Sequence, residues 1–312
     1  MKNKKLKYKA AIYLLVVLTV LTVFISCKKE YETIEELDNR NIKSYKETHS
    51  SLTFTDVDGY SYSITDSGIG STATNTDSVF YSYTFKSTSG KIYYQTSDIS
   101  ISGTFLGYTD RFAIGRSVYT FKPVREVLGK LKRGGKAILL LPSRMAFGKN
   151  GLSSFGIGSN ETIIVELGLY NFEKRHQVDA FETQTFIAKN NLTFNTDPTG
   201  VKYNISTPGT GADMISLTTT FGCKYTGRYL DGTIFEQATS EVTRTLNKLV
   251  DGWQVLIGRV SAGGKIRIII PSNLGFGNTQ DPTNWKYYPY RNVYASDRVL
   301  DFEIEITSVT KD

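Results

Sequence analysis

Few side chains in this chain are equipped for conventional catalysis. Its 312 residues include two histidines, His49 and His176, and two cysteines, Cys27 and Cys223. A Ser-His-Asp or histidine-metal centre needs more partners than these, so hydrolase and metalloenzyme chemistry is disfavoured. The Gly-rich stretches SGIGS (67–71) and FGIGSN (155–160) lack the strand–helix setting and lysine of a phosphate loop and read as turns. The unusual stretch is apolar: VDGWQVLIGRVSAGGKIRIIIPSNLGFG, residues 250–277. Trp253, one of two tryptophans, follows a glycine and opens this run without a catalytic acid–base pair or metal ligands around it. Either it is ordinary core, or a dry aromatic surface is itself the working part.

Short elements must position that surface. Val250, Trp253, Leu256, Ile257 and Val260 fall at helical spacing, with Gly263 as a stop signal. KIRIIIP is a strand closed by Pro271. TTTFGCKYTG, the turn DGT and IFE read as a hairpin. In RVLDFEIEITSV, Leu300, Phe302, Ile304 and Ile306 alternate with Asp301, Glu303, Glu305 and Thr307, predicting an antiparallel strand with one wet face. One short helix against a curved antiparallel sheet is an α+β arrangement. Cys223, in an apolar strand, reads as a small buried residue.

The arrangement occurs twice. SSLTFTDVDGYSYSITDSGIG (50–70) answers to NNLTFNTDPTGVKYNISTPGTG (190–211), LGKLKRGGKAILLLPSRMAFG (128–148) to LIGRVSAGGKIRIIIPSNLGFG (256–277), and NETIIVELGLYNF (160–172) to SDRVLDFEIEITSV (296–309). The offset is about 140 residues for the first pair and 129 for the second, so the first copy carries an insertion, placed at 97–115. A helix is expected before each copy: Thr33-Ile34-Glu35-Glu36 has capping-box spacing, and 179–191 holds the matching place, after a short polar joint at Lys174-Arg175-His176.

The N-terminus has a basic leader, an apolar run and Ile25-Ser26-Cys27. This pattern is that of a secretory signal, and Cys27 after the cut resembles the lipobox of bacterial lipoproteins, whose cysteine is diacylated. Phe24 departs from the usual leucine there. The other reading, a transmembrane anchor, rests on a run near spanning length. The formal charge is +7, but five lysines and no acids lie in residues 1–26, leaving +2 from Cys27 onward. That small charge gives no support to a nucleic-acid partner. The expected organisation is a signal peptide (1–26), a lipid-anchored tether with a short helix (27–50), and domains over 51–173 and 179–312.

KYTGRYLDGTIFE (224–236), LNKLVDGWQVLIGRVSAGGKIRIIIPSNLGFG (246–277) and VLDFEIEI (299–306) resemble the FKBP-type peptidyl-prolyl isomerases in order and spacing. Domain one resembles the family more weakly, through its second half. The resemblance implies two tandem FKBP-like domains and isomerase activity, without a cofactor or metal, in the second. It makes Trp253 the floor of a prolyl pocket, with Tyr225, Phe235, Leu249 and Phe302 as walls. It makes the Val250 N–H the donor to the substrate carbonyl, and Leu246 a further lining residue. Glu236 stands where the family has Asp, Phe276 where it has a pocket tyrosine, and the family's arginine has no match, Arg244 being out of register; these departures imply reduced activity. In domain one the tryptophan position falls on Val124 after Pro123, the last-strand Phe on Ile163, and Tyr83, Tyr93, Phe121 and Phe147 remain to line a cup without turnover. The loop at 278–296 lies where the family places a loop over the pocket; its Trp285, Tyr287, Tyr288, Tyr290 and Tyr294 fit a clamp on extended peptides, stacking on sugars or packing on the other domain equally well, and no roles are assigned to them.

The implied partners are proline-containing polypeptide clients, secreted or of the outer membrane, with a macrolide as a pocket ligand. The implied location is the periplasmic or cell-surface face of a bacterial membrane, most naturally the outer one. The rival reading is a lipoprotein with two non-catalytic binding modules in a chaperone or adhesion role, because a fold does not establish activity.

Overall fold

The computed structural model describes residues 32–114, 117–281 and 283–310; the expected signal peptide and Cys27 lie outside them. The first unit runs α1 (Ile34–Thr48), β1 (Thr55–Val57), β2 (Tyr60–Asp66), β3 (Ile69–Thr72), β4 (Ser78–Lys86), β5 (Ile92–Gln95), β6 (Ser102–Phe105), β7 (Arg111–Ile114), β8 (Ser117–Thr120), α2 (Lys122–Leu128), β9 (Lys132–Arg133), β10 (Lys136–Leu141) and β11 (Ile163–Leu169). The second runs α3 (Arg175–Lys189), β12 (Asn195–Thr196), β13 (Lys202–Thr207), β14 (Thr220–Tyr229), β15 (Ile234–Thr245), α4 (Asp251–Leu256), β16 (Lys265–Ile270) and β17 (Leu300–Val309). No helix among the described residues is long and apolar enough to cross a membrane.

Each unit is an α+β domain with an antiparallel sheet. The orders are β1-β2-β10-β11-β4-β5 and β12-β13-β16-β17-β14-β15, equivalent strand for strand. They differ at one edge. In the second domain β15 is a single twelve-residue strand that pairs with β14 through two register irregularities. In the first, β5 and β6 share the edge of β4, and the chain between β5 and α2 adds the β7–β8 hairpin. The insertion expected at 97–115 therefore replaces the second half of an edge strand.

Each sheet also has its own leading helix. Thr33 and Glu36 form the capping box of α1: the Glu36 N–H donates to Thr33 Oγ1 at 3.2 Å and the Thr33 N–H to Glu36 Oε2 at 2.7 Å. Buried Asp38 of α1 accepts from the Ser143 N–H (2.9 Å to Oδ2) and hydroxyl (2.8 Å), just after Pro142. Buried Asp179 of α3 accepts from the Ser272 N–H (2.9 Å) and hydroxyl (2.7 Å), just after Pro271. The same carboxylate–serine lock thus ties each helix to its sheet. The helix within 27–50 belongs to the first domain as much as to a tether.

α3 starts at Arg175, four residues before the expected Asp179, so the polar joint is its first turn. Arg175 binds Asp179 and Glu182, each at 2.7 Å, and donates to the Ile101 carbonyl at 3.2 Å; the Ile101 N–H donates to Glu182 at 2.6 Å. Val178 packs with Phe80 and Ile101 of the first domain. About two turns further along α3, Phe186 packs against Leu230, Ile269 and Val299 of the second. Part of the insertion therefore clamps the first domain to α3.

This packing corrects the wet face expected of β17 at one position, Asp301, while Glu303 is exposed and Glu305 and Thr307 are half-buried. Leu300, Phe302, Ile304 and Ile306 are buried as the alternation predicts, but Asp301 is 0 % exposed as well. It is enclosed by Arg228 Nε at 3.0 Å and Arg267 Nε at 2.9 Å, and Arg267 lies over Phe186, 5.9 Å from the ring centroid. Period two reports which way side chains point, not whether a helix covers the far face.

Candidate active site

The helix expected across 250–260 is shorter than its periodicity: α4 ends at Leu256 and a 3-10 turn, Ile257–Arg259, completes it. Gly252 explains the residue before the tryptophan. A Cβ there would stand 2.4 Å from Ile270 Cγ2, so only glycine lets α4 lie this close to β16. Trp253 then turns into the concave side of the sheet, 2 % exposed. Its indole meets Tyr225 at 5.4 Å and Phe302 at 5.2 Å, both edge-on. Phe302 meets Phe235 at 5.4 Å, and Phe235 meets Phe276 at 5.3 Å. Edge-to-face contacts of this kind are favourable and hold ring positions fixed. Gly227 leaves the room, since a Cβ would come within 2.5 Å of Phe302 and 2.8 Å of Phe235.

Tyr225, Phe235, Leu246, Leu249, Val250, Trp253, Phe276 and Phe302 thus belong to one cluster, with Leu249 and Phe235 half-buried at its rim. Val250 is the extended cap residue before α4, and its N–H makes no hydrogen bond among the described residues. A register irregularity beside Gly227 leaves Phe235 outside the ladder, aimed over the cluster.

A second bulge overturns the expectation for Arg244. Cys223 pairs with Val242 but Tyr225 with Ala238, so β15 carries two extra residues there. An even insertion keeps the following side chains on the same face. Arg244, eight positions beyond Glu236, therefore still points inward: its Nη2 donates to the Tyr225 hydroxyl at 2.9 Å and lies 3.8 Å from Glu236. The Tyr225 hydroxyl donates to Glu236 Oε1 at 2.5 Å, so the longer acid does reach it. Burial, then the bond to Glu236, pushes the Tyr225 phenol up to about 12. Nothing in the linear spacing signalled Arg244, because a bulge is invisible to residue counting.

The 278–296 loop packs on one side of the cluster. Tyr294 stacks on Phe276 at 3.9 Å, and Tyr287 meets it edge-on at 5.3 Å. Lys286 reaches across to the Leu249 carbonyl at 3.2 Å and to Asp251 Oδ1 at 3.3 Å, while Gln254 donates to the same carbonyl at 3.0 Å. Neither Lys286 nor Gln254 stood out in the sequence.

In the first domain Val124 is buried at the tryptophan position and Tyr83 matches Tyr225. The last-strand counterpart of Phe302 is Val165, not Ile163. Phe302 pairs with Ile268 and Gly227, whereas Val165 pairs with Leu139 and Phe85. Where the second domain has Gly227, the first has Phe85, whose ring lies 5.5 Å from Phe121 and 5.8 Å from Phe147. Phe112 from the inserted hairpin, 7 % exposed, closes on Tyr83 at 4.9 Å and Phe85 at 5.0 Å. The expected cup of Tyr83, Phe121 and Phe147 is filled from within; Tyr93 is half-buried and donates to Glu161.

Residues 213–307 match the family described as FKBP-type peptidyl-prolyl cis-trans isomerase. Among curated proteins, an FKBP-type isomerase FkpA of Buchnera aphidicola is 27 % identical over 113 residues, 35 % of this chain and 41 % of that protein. A probable FKBP-type isomerase of Haemophilus influenzae is 33 % identical over 85 residues, 26 % of this chain and 35 % of that protein. The chain therefore spans less than half the length of these relatives. Among solved structures, a Pseudomonas syringae peptidyl-prolyl isomerase aligns at 24 % identity and a TM-score of 0.36, over 44 % of this chain and 94 % of that one. The three FKBP domains of wheat FKBP73 align at 15 % identity and a TM-score of 0.31, over 83 % of this chain and all of that one. The match to the FKBP-type peptidyl-prolyl cis-trans isomerase family thus lies within the second domain.

Proposed function

We propose that the second domain catalyses cis–trans isomerisation of prolyl peptide bonds in secreted or outer-membrane polypeptides, at an activity below that of members with the full family pattern. Rotation about such a bond breaks amide resonance, with a barrier near 18–20 kcal/mol for peptide bonds in general. No covalent bond is made or cut, so neither nucleophile nor metal is needed. Water favours the planar, more polar amide, and a dry aromatic surface removes that preference. In this reading the Val250 N–H, which makes no hydrogen bond among the described residues, holds the neighbouring carbonyl while the prolyl ring rests on Trp253, with Tyr225, Phe235, Phe276, Phe302 and Leu249 around it. Such a site binds the twisted amide better than the planar one, which is what lowers a barrier. The observation that supports the reading is the Trp253 indole, edge-on to Tyr225 and Phe302, in one cluster with Val250, whose N–H makes no hydrogen bond among the described residues.

In this reading Tyr225, Glu236 and Arg244 keep one wall rigid, Leu246 supports the floor from the core, and a macrolide-type ligand competes with substrate. The test is the isomerisation rate of an Xaa-Pro tetrapeptide with the mature chain and its Trp253→Leu variant. Trp253→Leu is expected to lower kcat/KM at least tenfold, a loss of about 1.4 kcal/mol of transition-state stabilisation. An unchanged rate would refute the assignment. We also infer that Cys27 carries the lipid and holds the protein on the periplasmic or outer face of a bacterial membrane. Cys27→Ser should then move the protein from the membrane pellet to the soluble fraction. The rival reading, a non-catalytic binding module, fits the first domain, where Phe85 and Phe112 occupy the cup.

A further inference from the structure

The isomerase reading asks one backbone N–H, that of Val250, to hold the substrate carbonyl. Resting on that reading, we infer that Lys286 and Gln254 are positioning residues that strengthen this donor by polarising the peptide group to which it belongs. The Leu249 carbonyl and the Val250 N–H are the two ends of a single planar, resonance-coupled amide. Density drawn onto the oxygen is drawn from the nitrogen, and the N–H becomes a better donor.

Two side chains from different elements converge on that oxygen. Gln254, on α4, donates through Nε2 at 3.0 Å. Lys286, on the loop, donates through Nζ at 3.2 Å and is held by Asp251 Oδ1 at 3.3 Å. The lysine contact is charge-assisted, the stronger kind of hydrogen bond. Linked hydrogen bonds reinforce one another by roughly 10–30 % each. The benefit is directed, because the polarised N–H is itself left without an internal acceptor among the described residues. The arrangement also couples loop and donor: when the loop is seated, with Tyr294 stacked on Phe276, the ammonium is on the Leu249 oxygen.

A lysine that only pinned the loop would produce the same contacts, so the test must separate the two roles. Gln254 does this, because it lies on α4 rather than on the loop. The amide resonance of Val250 in the ligand-free mature chain reads the polarisation directly, and kcat/KM on a prolyl tetrapeptide reads its consequence. Gln254→Leu and Lys286→Met should each move the Val250 amide proton upfield and lower kcat/KM by about threefold to tenfold. Lys286→Arg should restore both, and the ring resonances of Tyr287 and Tyr294 should stay in place in Gln254→Leu. A Val250 resonance unmoved in Gln254→Leu, or a rate loss confined to Lys286 variants, overturns the inference in favour of a plain latch. Shifted resonances in a protein whose wild type shows no turnover would instead overturn the isomerase reading and leave the polarisation standing.

Discussion

The two domains share a sheet order, a leading helix and a carboxylate–serine lock, yet they build their aromatic clusters differently. The difference lies in a volume exchange at one register position. The second domain pairs Gly227 with Phe302, and the first pairs Phe85 with Val165. Both choices put one large ring between the two central strands. In the second the ring comes from β17 and stands edge-on to Trp253 and Phe235. In the first it comes from β4 and packs against both Phe121 and Phe147. The inserted hairpin then adds Phe112 on top. Ordinary core packing is satisfied equally well by either solution, so stability alone does not select a working site.

The strongest way to break this contrast is to install the first domain's solution in the second. Gly227→Phe forces a side chain where a Cβ already meets Phe302 at 2.5 Å. We expect tetrapeptide isomerisation to fall to the uncatalysed rate and stability to drop by about 1–3 kcal/mol from overpacking. Retention of both would show that ring placement is not what separates the domains. The reverse exchange, Val124→Trp, should yield no turnover, because Phe85 and Phe112 still occupy the space.

A smaller effect tests whether the helices belong equally to the two domains. Asp38→Ala and Asp179→Ala each strand a buried serine N–H and hydroxyl, at a cost of about 2–3 kcal/mol apiece. Denaturant unfolding should give similar losses. A negligible loss for Asp38→Ala would return α1 to the tether.

The clamp between the domains should respond to pH. Burial pushes the Glu182 carboxyl above its ordinary value, opposed in part by Arg175. A raised carboxyl contributes stability that is fully present below its unfolded pKa, about 4.3, and is lost as pH rises through its folded value. The wild-type chain should therefore lose more stability than Glu182→Gln over that rise, measured by denaturant midpoints. Parallel curves would mean that the carboxyl gains as much from Arg175 as it loses by burial.

The mildest comparison uses one inner-face position of β4 and β14, held by Tyr81 and Cys223. Burial pushes the Tyr81 phenol up to about 12 and the Cys223 thiol up to about 11. At pH 8 almost no thiolate is present, and thiol reagents should label native Cys223 no faster than the domain unfolds. Rapid labelling would mean that this part of β14 opens locally.

Much of this was legible from residue order because it depends on local pattern. The repeat, the strands of each core and the short helix at Trp253 follow from periodicity and turn residues, while the gathering of Tyr225, Phe235, Val250, Trp253, Phe276 and Phe302 was implied by the resemblance to the FKBP-type family. What escaped depends on register or on distant packing. Arg244 seemed misplaced because two extra residues in β15 shift the count without changing the face. Val165 was passed over for Ile163 because strand pairing, not alignment of letters, decides which residue opposes Phe85. Asp301 read as solvent-facing because alternation is blind to α3 lying across the sheet.

The amino-acid order determined that this chain forms two α+β units, since alternation, turn residues and the repeat arise from side-chain chemistry at fixed intervals; the aromatic cluster around one indole was implied by the family resemblance. Only the tertiary structure decided that the first cluster is filled by Phe85 and Phe112, that Arg244 reaches Tyr225, and that Lys286 and Gln254 meet at the Leu249 oxygen. Each of these joins residues whose separation is set by bulges, insertions and loop paths, and such distances are fixed in space rather than along the chain.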